Sequence, residues 1–356
     1  MIAQRIRQAR LARGLSQSEL AEAAGGISKQ AISYYEAGDD VPRSSVLMRL
    51  AEALNVQLDY FFRSVTIELG EPAYRKHCKL TKSAMAKLES RVQDEVERYV
   101  ETESLFDPNS VKAFKRPPGF SRAIQEPEDV ECLGVKLRQH WLVGMDPIDN
   151  LTELLEDQAV KVIYVDEDEH FDGCAYPNGN VPVIVVNHDK PGDRLRFNLA
   201  HELGHLLLKF LEEWDDKQIE RAARRFAGAF LVPKDVACRE LGRDRVRIST
   251  LELMELKRKY GMSMQAWIMR AKQLGIITEY AYEKLWREFG ARGWRKNEPV
   301  KYKKEESTRH KRLVARAYES DMISESRAAE LLAVPREEVV DLLALNGSDS
   351  YESSHS

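Results

Sequence analysis

The chain has 356 residues, 43% hydrophobic and 31% charged, with a formal net charge of −4. That length allows two or three domains, each with its own core. The slightly acidic balance excludes a protein that coats nucleic acid by bulk electrostatics, so any DNA contact has to come from a local patch. No apolar run approaches the roughly 20 residues of a membrane-spanning helix, so no membrane partner is expected. The N-terminus, "MIAQRIRQARLARG", is an arginine-bearing amphipathic segment with no apolar signal core. The cysteines, Cys78, Cys132, Cys174 and Cys238, contain no C-x-x-C pair. Neither a disulfide framework nor a cysteine zinc site is expected, and the cytoplasm is the natural compartment.

Residues 1–65 read as short helices with tight turns at Gly14, Gly25-Gly26 and "AGDDVP". Leu15, Leu20, Ala21 and Ala24 pattern one helix, and Ile32 faces inward from the next, with Tyr35 a further packing candidate. Ser16 and Ser28 can cap the two helices. The stretch "GLSQSELAEAAGGISKQAISYYEAGDDVPRSSVLMRLAEALNV" resembles the XRE-type helix-turn-helix fold. It departs from the tightest form of the turn by one residue, the doubled glycine. The resemblance implies an all-α domain whose second helix presents its early residues to the major groove of double-stranded operator DNA. The expected DNA-facing residues are Ser28, Lys29, Gln30, Ser33 and Tyr34, with Gln17 near the DNA backbone and Arg43 on a phosphate. Glutamine can pair with adenine, and lysine with guanine or phosphate. Arg5, Arg7, Arg10 and Arg13 have no acid among them and are expected to form a basic patch. A homodimer is expected because such readers bind paired half-sites.

Residues 66–125 read as a helical connector. In "SAMAKLESRVQDEVERYVETESLF", Met85, Leu88, Val92, Val96, Tyr99 and Val100 recur at helical spacing. The other side is charged, which suits a packed connector better than an independent coiled coil. "KRPPGF" breaks regularity at Pro117-Pro118 and marks a boundary.

Composition changes near residue 126. A helix at about 128–142 precedes two β-rich runs, "VKVIYV" and "VPVIVVN", with "FDGCAYPNGN" between them offering a further strand and a turn. Then comes "RFNLAHELGHLLLKF", residues 196–210. Asp193 is its candidate N-cap, and Leu195, Leu199, Leu203, Leu206 and Leu207 carry the helical period. A spacing of four puts His201 and His205 on one face, one turn apart, where both imidazoles can share one zinc ion. Glu202 lies one position round, placed to take a proton from an attacking water. Two histidines among leucines without a metal or partners would cost desolvation. A catalytic zinc takes three protein ligands and keeps one position open. Glu212, Glu213, Asp215 and Asp216 lie in a turn and read as a solvated acidic run. Glu220 lies on the next helix, with Ala223 and Ala227 at i+3 and i+7 to permit close approach, and is the favoured third ligand.

This region resembles the ImmA/IrrE family of zinc metallopeptidases through "RFNLAHELGHLLL", a glutamate-bearing helix ending "FAGAFLVP", "LKRKYGMSMQAWIMRAKQLGIIT" and "RGWRKNEP". The resemblance implies a small α+β zincin-like domain over 126–290, with His201, His205 and Glu220 as zinc ligands and Glu202 as catalytic base. Members often carry a second acidic residue two positions after the first; here it is Ala222. Tyr176, His188 and Arg196 are available as oxyanion donors, and "VPVIVVN" could hold an extended substrate if it forms a sheet edge. A Cys174 thiolate near the metal would be an inhibitory ligand, although a small buried cysteine is the plainer reading.

Residues 291–308 are polar and basic and read as a linker, followed by a small helical unit and a disordered tail within 291–356. The expectation is therefore a mainly α chain: an operator-binding domain fused to a zinc endopeptidase. Its protein substrate would be a helix-turn-helix repressor or the chain itself, with "KRPPGF" an exposed candidate for cleavage. The rival readings are a transcription factor with a non-catalytic metal-sensing domain, and an antitoxin-type regulator acting through protein binding.

Overall fold

The computed structural model describes residues 1–63, 67–73, 80–107, 112–179 and 181–345. Cys78 and the tail "NGSDSYESSHS" lie outside the described residues. The chain forms two compact units, each discontinuous in sequence: Met1–Leu69 with Lys79–Ser110 and His310–Ser356, and Gly70–Cys78 with Val111–Arg309.

The first unit begins with helices α1 (Ile2–Ala12), α2 (Gln17–Ala23), α3 (Lys29–Ala37) and α4 (Ser44–Leu54), then a short 3-10 turn at Leu58–Phe62. Ser16 caps α2 with a full capping box, and Ser28 Oγ accepts from Ala31 N at 3.1 Å to cap α3. Gly25 and Gly26 both take positive φ, 61° and 63°, so the longer turn is accommodated by two residues without a Cβ penalty. Ile6, Leu20, Ile32, Leu50 and Phe61 close the core. Helix α5 (Lys82–Ser104) buries Met85, Leu88, Val92, Val96 and Tyr99, while Val100 stays half-buried. It packs on α1, where Ser90 Oγ donates to the Gln8 carbonyl at 3.0 Å and Arg5 pairs with Glu97.

The second unit contains α6 (Pro127–His140), α7 (Leu151–Asp157), β1 (Lys161–Val165), β2 (Gly173–Tyr176), β3 (Val183–Asn187), α8 (Gly192–Leu207), α9 (Asp216–Leu231), α10 (Lys234–Leu241), α11 (Thr250–Tyr260), α12 (Met264–Gln273) and α13 (Glu279–Ala291). The sheet order is β1-β3-β2, with β1 parallel and β2 antiparallel to β3. All five residues of β3 are buried, as a central strand covered on both faces requires. The condition set for "VPVIVVN", that it form a sheet edge, is therefore not met: β1 and β2 are the edges, and β3 is already paired on both sides. Asn187 ends β3 inside the unit, its Nδ2 donating to the carbonyls of Glu167, Asp168 and Phe171 and so holding the β1–β2 loop.

Helix α8 lies against the sheet through Leu195, Leu199 and Leu203, which share one core with Ala175, Ile184 and Val186. Asp193 is not its N-cap. Pro191 occupies that position, and Asp193 pairs inside the unit with Lys257 at 3.1 Å, which also holds Glu298 at 2.8 Å. At the other end, Arg116 of "KRPPGF" donates to the Leu207 and Leu206 carbonyls at 2.6 and 3.3 Å, satisfying groups the helix leaves open. Pro117 and Phe120 are buried, so this segment is anchored and is not a free linker.

The stretch 298–305 also packs on the second unit. Glu305 is buried, pairs with buried Arg196 and accepts from Thr152 N at 2.9 Å and Thr152 Oγ1 at 3.1 Å. The chain then returns to the first unit as α14 (Arg309–Glu319), α15 (Glu325–Leu332) and α16 (Arg336–Leu345). His310 stacks on Tyr99 of α5 at 4.9 Å, and Arg327 pairs with Glu101. Among the described residues the fold is mainly α, with an all-α N-terminal domain and one small three-stranded sheet in an α+β domain.

Candidate metal centre and nucleic-acid face

Helices α8 and α9 bring three donors together. His201 Nε2 and His205 Nε2 lie 3.1 Å apart, with ring planes at 89°. Glu220 reaches them from α9, with Oε1 at 3.1 Å from His205 Nε2 and Oε2 at 3.4 Å from His201 Nε2. Two close approaches make this possible. A Cβ at Gly204 would meet Phe226 Cδ1 at 3.2 Å and the Ala223 backbone at 3.4 Å, so glycine and alanine let the helices touch. The small-residue stripe expected beside Glu220 thus does its job through Ala223. Ala222, where an acidic residue often stands in the resembling family, points into the core.

The electrostatics favour a cation. The two Nε2 atoms and the Glu220 carboxylate oxygens converge on one spot. Four donors placed tetrahedrally at about 2.0–2.1 Å would stand about 3.3–3.4 Å apart, close to the spacings found. Burial pushes the Glu220 carboxyl up, but the two imidazoles more than offset it and hold it well below the usual carboxylate range. These three residues form a group able to hold a metal ion among the described residues.

Glu202 is buried one position round from His201, against the edge strand. A Cβ at Gly173 would come within 3.2 Å of Glu202 Cγ, so the glycine in β2 leaves the space the carboxylate side chain fills. Sequence reasoning did not single out Gly173; a glycine inside a strand pattern, which marks close backbone approach, was the available signal. Strand alternation places Cys174 on the other face of β2, and it is not among the grouped donors. Arg196 is spent on Glu305 and the Ile148 carbonyl. His188 packs edge-on to Tyr164 at 5.7 Å. Tyr176 is buried at the end of β2. Asp215 caps α9 through Gln218, and Glu212 and Glu213 are exposed.

In the first unit, Ser28, Lys29, Gln30, Ser33, Tyr34 and Arg43 are all exposed. Gln30 Nε2 donates to Tyr34 Oη at 2.9 Å, one turn along the outer face of α3. Gln17 is half-buried at the start of α2, its Nε2 donating to Glu36 at 2.9 Å. The expected basic patch is halved. Arg5 is buried with Glu97, and Arg10 grips Glu36 at 2.5 and 2.9 Å, leaving Arg7 and Arg13 exposed.

Comparison with known proteins agrees with this division. Residues 6–61 match the helix-turn-helix family, and residues 155–272 match the IrrE N-terminal-like domain, a peptidase family. A protein of Rhodospirillum rubrum described as an uncharacterized transcriptional regulator in the ATPase CF(0) region is 41% identical over 73 residues. That match covers 20% of this chain and 65% of the relative, just under two thirds of its length. No described helix is long and apolar enough to cross a membrane. The chain therefore joins a helix-turn-helix domain to an IrrE N-terminal-like, peptidase-like domain in one polypeptide.

Proposed function

We propose that this protein is a cytoplasmic DNA-binding regulator whose second unit is a zinc-dependent endopeptidase. The observation that carries the reading is the convergence of His201, His205 and Glu220 within 3.4 Å of one another, with Glu202 buried beside them. His201, His205 and Glu220 would hold the zinc. When bound, such a cation supplies Lewis acidity, lowering the pKa of water to about 7 and polarising a carbonyl. Glu202 takes the proton from the attacking water and delivers it to the leaving nitrogen. Its position between α8 and the edge strand keeps the carboxylate out of bulk solvent, where its proton transfers are shielded from competition.

Ser28, Lys29, Gln30, Ser33 and Tyr34 would read an operator through the major groove, with Gln17 and Arg43 on the DNA backbone and a homodimer spanning two half-sites. The protein substrate would be a repressor of the helix-turn-helix type or this chain itself, in a stress or mobile-element response. The deciding experiment compares the wild-type chain with Glu202→Gln for zinc content and for cleavage of a candidate repressor. Retained zinc with lost cleavage supports catalysis. Equal cleavage by both proteins, or a wild-type chain that takes up no zinc, overturns it.

A further inference from the structure

The edge strand β2 is not bare. Ala73 N donates to the Ala175 carbonyl at 2.7 Å, on the side of β2 away from β3. Three residues earlier, Gly70 meets the chain just beyond β2. A Cβ there would lie 3.0 Å from the Asn178 carbonyl carbon and 3.1 Å from Gly179 N, and Gly70 takes a φ of +70°. One step forward along 70–73 is thus one step back along 178–175, the register of an antiparallel strand. Pro72 is buried, and Ala73 packs on the core of the second unit. The Ala73 bond falls two residues, about 7 Å, from Gly173, the position that faces Glu202.

An exposed strand edge takes up extended backbone through its unpaired N–H and C=O groups, and that is how edges bind peptides. We propose that the outer edge of β2 is a peptide-binding edge, and that Gly70–Ala73 occupies it in cis as a strap that an incoming extended peptide has to displace. This rests on the peptidase reading for its meaning, but not for its test. The occupant is fixed by the observed bond and register: backbone, antiparallel, with proline and alanine turned to the unit.

The test removes the bond donor. Ala73→Pro lacks the N–H that reaches Ala175 but keeps an extended backbone. A second variant replaces residues 70–73 with Gly-Ser-Gly-Pro, so neither variant has an N–H at position 73. Both are made in the full chain carrying Glu202→Gln, with folding checked by circular dichroism and zinc content measured. The probe is a fluorescein-labelled peptide with the sequence of residues 67–73, followed by anisotropy. Both variants should bind it at least about fivefold more tightly than the Glu202→Gln chain with an intact strap, the scale of one lost hydrogen bond. Equal binding by all three chains, or binding by none, overturns the strap. Cleavage of labelled casein is measured separately, with Glu202 intact. Discrimination of the peptide by chains that take up no zinc leaves the strap standing and removes the peptidase reading. Casein cleaved at one rate by wild type and both variants removes the strap alone.

Discussion

Gly173 and Glu202 are in contact across the sheet–helix interface: a Cβ at 173 would sit 3.2 Å from Glu202 Cγ and 2.8 Å from the Val185 carbonyl oxygen. The second distance is the more demanding, because the obstacle is the backbone of the neighbouring strand. A side chain at 173 therefore has to move β2, the Glu202 side chain, or both.

Gly173→Ala is expected to lower the melting temperature by an amount equivalent to about 1–3 kcal/mol, the usual cost of overpacking. Because His201, His205 and Glu220 lie outside this contact, zinc uptake should persist while peptide cleavage falls. Thermal denaturation with parallel metal analysis checks both, and loss of zinc in a folded variant would place Gly173 in the metal site instead.

Removing Glu220 should be felt first in the metal. Glu220→Ala leaves two histidines, so zinc retained after dialysis against a chelator should drop by at least about tenfold relative to wild type. Chelation of the wild-type protein should in turn lower its melting temperature, since an ion that binds only the folded chain stabilises it. Titration of zinc against a colorimetric chelator reads the first effect, and calorimetry the second.

The Glu131 carboxylate lies between Arg270, at 2.6 and 2.7 Å, and Arg225, at 3.0 Å. Burial pushes it up, but the two guanidinium groups outweigh that and hold it below its ordinary 4.5. A carboxylate with a depressed folded pKa contributes stability that is complete above the ordinary value and is lost as pH falls below it. Glu131→Gln should therefore cost about 3–5 kcal/mol at pH 7, because it strands buried Arg270. The gap between variant and wild type should narrow below pH 4.5 in urea denaturation, and a gap independent of pH would disprove the ion-pair account.

The arginines of the first unit should separate by burial. Arg43→Gln, at an exposed position, should weaken DNA binding on all sequences and reduce the salt slope by about 1. Arg5→Gln should leave the salt slope unchanged and destabilise the fold, because Arg5 is buried with Glu97. Gln30→Ala should relax preference at one base pair by about 1–3 kcal/mol. Anisotropy on an operator selected in vitro, repeated across salt concentrations, distinguishes the three.

Local signals were strong where the chemistry is local. Ser16 and Ser28 cap because their hydroxyls reach amides three residues on, and His201 and His205 meet because 3.6 residues make one turn. The leucine period of α8, the apolar run of β3 and the stretch of α5 facing α1 are likewise set by neighbours in the chain, so all could be read directly. What the fold alone decided depends on partners far apart in sequence. Nothing near Arg5 announces Glu97, nothing in the polar stretch after Ala291 marks Glu305 as the buried partner of Arg196, and the order β1-β3-β2 turns the most apolar strand into the centre and the glycine-bearing one into an edge. Glu220 stands between the two cases. Its helix and its small neighbours were legible, but its distance from the histidines follows from how closely Gly204 and Ala223 let two helices pack, and packing distance is a property of the assembled core.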